Sequence, residues 1–422
     1  MVVSFLDGIM VYVPYLRFSY YDQMVMLFSQ STNIADAAHV NEFIGNFTLI
    51  EAIVCTIGYP IGGYITDKFS EKRLLIAGGL IMGACSIWFG FLTSAMSIYI
   101  INFLYGIGVI LIFSPFLKVT RKLGTAKEQG TMFSMAEFFR AITGTALGFI
   151  AVAILNGAVI GGTMDPVILA EKWKIALCLD GVMFFIFCLG LFFLLPDNLR
   201  GAETEGMEVE ESNDKITVAG IIAVMKMPGT WMMALLIFFA YSFVACGSGY
   251  LGTYSVRVMG ISETTASNFA IVRNYILGAA STLIIGFVAD KIGFKVKTLG
   301  IYLAAASILT AILMVFGAAS PMIGLAISAV FAFVFMGMKG IYFATMEELG
   351  IPLELSGVCT GVVSFFAYLP DVYFAKIAGI WLDKYGNTGF TYIWLWAIGC
   401  GILGILTAII ATRYAKKLKA GK

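Results

Sequence analysis

The sequence predicts an all-α membrane protein, with twelve transmembrane helices in two pseudo-symmetric six-helix bundles. Three observations carry this prediction. Of 422 residues, 60% are hydrophobic and only 13% charged, against roughly 45–50% and about 25% in soluble domains. Apolar runs long enough to cross a bilayer recur along the whole chain. One pattern, G-x-x-x-D-K, occurs twice, at Gly63–Lys68 and at Gly286–Lys291.

A water-exposed surface needs polar side chains that this chain lacks, and lipid is the solvent that tolerates their absence. A hydrocarbon core of about 30 Å needs about 20 mostly apolar residues per helix. That rule places spans at 3–27, 42–66, 74–94, 97–120, 131–156 and 175–195, then at 231–255, 266–289, 297–317, 320–345, 357–381 and 390–412. The first run continues through Tyr12, Tyr15 and Arg17 without a small-residue cleavage site, so it reads as a span rather than a leader. The domains follow: a bundle over 1–195, a linker over 196–230, a bundle over 231–412 and a basic tail over 413–422. The linker holds Glu203, Glu205, Glu208, Glu210, Glu211 and Asp214 and is expected to be flexible. Its end, Ile216 to Gly229, is expected to be amphipathic and to lie at the membrane surface.

Orientation follows from Lys and Arg in short loops. Lys68, Lys72 and Arg73 form one cluster. Lys118, Arg121, Lys122 and Lys127 form a second, and Lys291, Lys295 and Lys297 a third. Arg413, Lys416, Lys417 and Lys419 follow the last span. With twelve spans all four clusters and both termini share one side, the cytoplasm. The expected location is the cytoplasmic (inner) membrane.

Net charge is +1, so bulk electrostatics point to no nucleic-acid partner. The seven cysteines lie in apolar runs without a C-x-x-C pair, and the single histidine, His39, lies in a predicted loop. Neither pattern suggests a metal, and no cofactor is expected. No G-x-x-x-x-G-K-[ST] loop is present, which argues against nucleotide-driven pumping. The chain is read as no enzyme.

Each copy of the repeated pattern, Gly63-Tyr-Ile-Thr-Asp67-Lys68 and Gly286-Phe-Val-Ala-Asp290-Lys291, follows the second span of a six-span set. Glycine permits close helix approach, and an Asp can cap a neighbouring helix or pair with a cation. This resembles the signature loop of the major facilitator superfamily. The resemblance implies that Asp67 and Asp290, with Gly63 and Gly286, form a conformational latch, Arg121 being a plausible partner of Asp67. The basic residues are equally explained as topological anchors. A finer similarity is carried by Lys118-Val-Thr-Arg121, Glu128-Gln-Gly130, Glu137-Phe-Phe-Arg140, Lys339 to Glu348, Gly350-Ile-Pro352 and Pro370-Asp371. It is to a bacterial branch often grouped with nitrate/nitrite porters and organophosphate:phosphate antiporters. Lys339 stands where that branch usually has Arg, and Lys376 is unusual for it.

A charge at a helix centre costs roughly 2.5–3.5 kcal/mol on insertion scales, so intramembrane charges need a reason. The candidates are Arg17, Glu51, Glu137, Arg140, Asp180, Arg273, Lys339, Asp371 and Lys376. Arg140, Lys339, Arg17 and Arg273 sit deepest, and all are cationic. The resemblance implies that they face a water-filled path. Arg17, Arg140 and Lys339 are expected to border a central cavity, completed by Tyr15, Tyr342 and Arg273. Glu51, Glu137 and Asp371 are the acids available for proton coupling. Against this, Glu137 and Arg140, three residues apart, can simply neutralise each other. Asp180 is read as structural. The G-x-x-x-G pairs Gly58/Gly62, Gly144/Gly148 and Gly357/Gly361 are read as packing.

The expected function is secondary transport of a small organic or inorganic anion by alternating access. The expected partners are that solute, a coupling proton or counter-substrate, and the lipid bilayer, with the chain acting as a monomer. Two alternatives stay open: transport of a neutral or cationic solute such as a sugar or drug, and a non-transporting sensor built on a transporter fold.

Overall fold

The computed structural model describes residues 2–30, 33–122, 129–196, 218–352 and 355–420. The chain divides into two compact units, Met1–Met207 with Ser262–Tyr275, and Glu208–Ile261 with Ile276–Lys422.

In the first unit the helices are α1 (Val2–Tyr12), α2 (Arg17–Ser29), α3 (Val40–Lys68), α4 (Glu71–Gly90), α5 (Ala95–Lys122), α6 (Gln129–Asn156) and α7 (Pro166–Leu194). A short hairpin, Val159–Ile160 paired antiparallel with Thr163–Met164, joins α6 to α7. Its turn, Gly161-Gly162, has φ of 60° and 88°, the left-handed pair that a two-residue hairpin requires. Helix α7 starts well before the predicted 175. Asp165 caps it by accepting from Val167 N at 2.9 Å, and Pro166 stands at its first position. This unit also takes α10 (Glu263–Ile271) and the π-helical turn that follows as far as Tyr275. The sequence reading had kept the whole eighth span with the second bundle.

The second unit holds α8 (Val218–Met225), α9 (Pro228–Arg257), α11 (Gly278–Ile292), α12 (Lys295–Phe316), α13 (Pro321–Ile341), α14 (Ser356–Ala367), α15 (Leu369–Tyr385) and α16 (Gly389–Ala420). Helix α8 is apolar throughout, VAGIIAVM, with Val224 fully buried. Its Ile222 and Met225 are exposed. Residues 197–217 of the linker lie outside the described residues. Helix α16 continues to Ala420, so most of the expected basic tail is helical.

Among the described residues, ten helices are long and apolar enough to cross a membrane, or eleven counting the bent pair α1/α2 as one. The last of these, Val358–Ala420, has 63 residues and takes in α14, α15 and α16, with a turn at Gly386–Thr388 before α16. Splitting it brings the count to the twelve expected. Two spans that the sequence reading drew as continuous are broken. Proline lacks the N–H and clashes with the preceding turn, so Pro14 ends α1 and the chain bends by 45° before α2. Pro370 likewise stands at the start of α15, after a break at Tyr368.

Close helix approach is made by glycine. A Cβ on Gly58 would lie 1.8 Å from Ile110 Cδ1 of α5, and one on Gly62 2.8 Å from Ile110 Cγ2. Gly144 and Gly148, one turn apart on α6, meet Tyr275 and Ile271 at 2.2 and 2.9 Å. Gly8 of α1 meets Thr143 of α6 at 2.6 Å. Gly286 and Gly361 open onto free space, so neither mediates the helix contact expected of it. Gly8→Ala is therefore expected to destabilise the protein by about 1–3 kcal/mol through overpacking, and Thr143→Gly to restore much of that loss. Thermal unfolding in detergent checks it, and a Gly8→Ala variant as stable as the parent would refute the contact.

Candidate functional site

The break at Pro14 builds the first part of the site. Phe18, Ser19 and Tyr20 donate their amides to the carbonyls of Tyr15 and Leu16 at 2.9, 3.0 and 2.8 Å. The start of α2 therefore has few spare donors, yet its positive dipole end still falls at Arg17. A hydroxyl bridge spans the bend. Tyr12 and Tyr20 share a 2.9 Å hydrogen bond, and Tyr20 donates on to the Gly148 carbonyl of α6 at 2.9 Å.

Arg17 is 4% exposed. Its Nε has no hydrogen-bond partner, and among the described residues no carboxylate forms an ion pair with it. Its guanidinium carbon lies 4.3 Å from the centre of the Phe18 ring, against which Tyr15 stacks at 5.4 Å. Arg273 reaches the same residue from the π-helical turn Val272–Leu277. It is fully buried, donates from Nη2 to the Phe18 carbonyl at 3.1 Å, and donates from Nε to Asn274 Oδ1 at 3.1 Å. Two guanidinium groups thus converge on Phe18, one at its ring and one at its carbonyl.

Arg140 is in a different state. Its Nε is paired with the Asp7 carboxylate, and its guanidinium sits 5.4 Å from the Phe116 ring. Asp7 is fully buried and Arg140 19% exposed. A neutralising acid is thus on α1, and the side chain of Glu137 lies outside the described residues. Asp7 was missed by the sequence reading, although it is the only acid inside the first predicted run before Arg17. Glu51 is buried at 3% exposure on α3.

In the second unit Asp371 stands in the first turn of α15, where a helix dipole favours an acid, and accepts from the Tyr241 hydroxyl. Tyr342 and Tyr368 share a 2.9 Å hydroxyl contact, and the Tyr241 and Tyr368 rings lie 4.7 Å apart. Lys339, expected to be deep, is exposed in the last turn of α13. Lys376 is half-buried.

Of the expected latch, the side chains of Asp67, Gly63 and Arg121 lie outside the described residues. Asp290 is exposed and makes no hydrogen bond or ion pair among the described residues. The polar ties at these loops come from other groups. Lys118 donates to the Thr66 carbonyl at 3.1 Å and lies 3.4 Å from Glu71. Glu348 accepts from the amides of Lys295 and Val296 at 2.7 and 2.9 Å, capping α12.

Comparison with known proteins follows this geometry. The family model described as Major Facilitator Superfamily matches residues 16–375. The inner membrane protein YqcE of Escherichia coli (strain K12) is 25% identical over 412 residues, covering 96% of this chain and 91% of that protein. The crystal structure of a D-xylose-proton symporter superposes with a TM-score of 0.71 at 16% identity, covering 98% and 96% of the two chains. The nucleoside transporter NupG superposes with a TM-score of 0.71 at 13% identity, covering 97% and 98%. At such identities the two structures speak to fold alone.

Removing one partner of a buried ion pair leaves the other uncompensated, at a cost of about 3–5 kcal/mol. Asp7→Asn is therefore expected to destabilise the protein on that scale, and adding Arg140→Gln to recover most of it. A double-mutant cycle of unfolding measurements reads the coupling. Additive effects would show that the pair is not coupled.

Proposed function

Since this chain belongs to the major facilitator superfamily and is a multi-pass membrane transporter of that type, we propose that it moves a small organic or inorganic anion across the cytoplasmic membrane by alternating access. One observation carries the anionic part: the buried guanidinium of Arg17, without a carboxylate among the described residues and placed at the unfavourable end of a helix dipole. A buried charge is normally paired, and a transported anion supplies the missing partner during each cycle. A guanidinium takes a carboxylate, phosphate or sulfonate by two parallel hydrogen bonds. Arg273, bound to neutral oxygens at Phe18, adds positive potential at the same place. Arg140 enters this reading as a structural partner of Asp7 rather than as an anion ligand. Glu51, Glu137 and Asp371 keep their place as proton-coupling candidates.

A second reading has its own support. Tyr241, Tyr342 and Tyr368 cluster around Asp371 in the second unit, and such hydroxyls suit a neutral polyhydroxylated solute. A structural neighbour is a D-xylose-proton symporter.

The two readings separate in a binding panel of carboxylates, phosphates, sulfonates and sugars on purified protein. Charge-assisted hydrogen bonds contribute about 1.5–3 kcal/mol, so Arg17→Gln is expected to weaken anion binding by roughly 10- to 100-fold. Its stability without ligand is expected to hold or rise, because an uncompensated charge has been removed. Equal anion affinity in the variant, or a panel in which only neutral solutes bind, would sink the anion reading.

The proposed topology has both termini in the cytoplasm, with the loops at Asp67 and Asp290 acting as latches of the inner gate. Cysteines introduced beside Asp67, Asp290 and Lys416 are expected to react with an impermeant reagent from the cytoplasmic side only. Asp67→Asn is expected to alter the transport rate more than substrate affinity. Labelling of any of the three from outside would overturn the orientation, and unchanged turnover would leave these loops as anchors.

A further inference from the structure

Two packed helices of the second unit have exposed apolar faces that end in cations. On α16 the buried positions Gly401, Gly404, Ala408, Ala411 and Ala415 recur every three or four residues, the period of one helix face. On the other face Leu406, Ile409 and Ile410 are exposed. Beyond Ile410 that exposed face continues as Arg413, Lys416 and Lys417, so it changes from apolar to cationic within a turn. Helix α12 repeats the pattern from its start, its exposed face running from Lys297 through Ile301 and Ile308 to Ile312. The two helices pack antiparallel. A Cβ on Gly300 would lie 2.8 Å from Ala408 Cβ, and one on Gly401 2.0 Å from Ser307 Oγ. Lys297 therefore stands at the same end of the pair as Arg413 and Lys416.

This cationic rim is held in place. Leu418 comes within 2.8 Å of where a Cβ on Gly350 would sit, and Lys419 lies 4.9 Å from the centre of the Phe294 ring, just before α12. Glu348, at the same end, spends both carboxylate oxygens on the amides of Lys295 and Val296. Lys297, Arg413, Lys416 and Lys417 form no hydrogen bond or ion pair through their side chains among the described residues. We propose that the rim binds an anionic phospholipid, its phosphate facing Lys297, Arg413 and Lys416 and its acyl chains lying along the exposed apolar faces of α12 and α16. A guanidinium takes phosphate oxygens by parallel hydrogen bonds, and an ammonium adds a point charge. The stems of Lys and Arg lie along hydrocarbon while their charged heads reach the headgroup level. Basic clusters at the end of a membrane helix draw anionic lipid. Topological anchoring needs only positive charge in a loop, whereas these cations prolong the lipid-facing sides of two helices packed against each other. The site is independent of the transported solute and of the side of the membrane on which the rim lies.

Native mass spectrometry of the full chain in detergent, titrated with phosphatidylglycerol or phosphatidylcholine, tests the site. The parent is expected to bind phosphatidylglycerol the more tightly, by roughly tenfold or more. Changing Lys297, Arg413 and Lys416 together to Gln is expected to weaken phosphatidylglycerol binding by roughly tenfold or more. Changing Lys68, Lys72 and Arg73 to Gln removes the same charge from the first unit and is expected to leave that binding nearly unchanged. The three rim side chains are exposed, so the rim variant should fold, which thermal unfolding checks. If it does not, Lys297→Gln and Arg413→Gln are measured singly, each expected to weaken binding by about threefold or more. Equal losses in the two triple variants would show a diffuse attraction and overturn the proposal. Equal binding of the two lipids would show an apolar surface without headgroup recognition and also overturn it. So would inorganic phosphate that raises the unfolding temperature as much as phosphatidylglycerol does, because the rim would then be a site for a free anion.

Discussion

A guanidinium buried without a counter-ion among the described residues is the constraint from which the arrangement of the first unit follows. Arg17 is placed where it is by Pro14, which ends one helix and starts another inside a single membrane crossing. A cation in the first turn of a helix is opposed by the dipole, and burial removes the water that would offset this. The neighbouring groups relieve the charge only through an aromatic face and leave its Nε without an acceptor. The corresponding break in the second unit is built the other way. Pro370 opens a helix whose first turn carries an acid, Asp371, which the dipole favours and Tyr241 satisfies. One proline break carries an acid that the dipole favours, and the other a buried cation that wants a counter-ion among the described residues.

That want can be tolerated only if the frame around it is stiff. Glycine supplies the stiffness by letting backbones meet. Gly8 brings α1 against Thr143, which also sets Asp7 beside Arg140. Gly144 and Gly148 bring α6 against Tyr275 and Ile271, and the carbonyl of Gly148 receives the Tyr20 hydroxyl. The face of α6 that takes Ile271 and Tyr275 is thus the face to which the bent first helix is tied. Arg273 belongs to the same packed segment and grips the Phe18 carbonyl. The π-helical turn that carries it is a geometry common at functional sites.

The fold was legible because period, length and charge asymmetry are local signals. Apolar run lengths gave the helices, and the doubled G-x-x-x-D-K pattern gave the family. What escaped depends on contacts between distant residues. Pro14 and Pro370 were visible, yet their effect was not, since apolar continuity carries a hydropathy window across a kink. Helical spacing offered Glu137 as a partner of Arg140, but no spacing rule reaches Asp7, 133 residues away, which pairs with it. Glu348 caps a helix that begins 53 residues earlier, which no spacing rule reaches. Lys339 looked deep because its run was drawn to 345, whereas α13 stops at Ile341 and leaves it in the last turn. The glycine of the second motif copy, Gly286, meets no neighbour within 4 Å among the described residues.

Helix α7 ties these features together. The Tyr12–Tyr20 hydroxyl contact spans the bend between α1 and α2, and α7 carries Asp180, an acid buried like the cation Arg17 of α2. Each is unfavourable alone, and neither cancels the other, because among the described residues they form no ion pair. Had they met, the pair would be as static as Asp7 with Arg140.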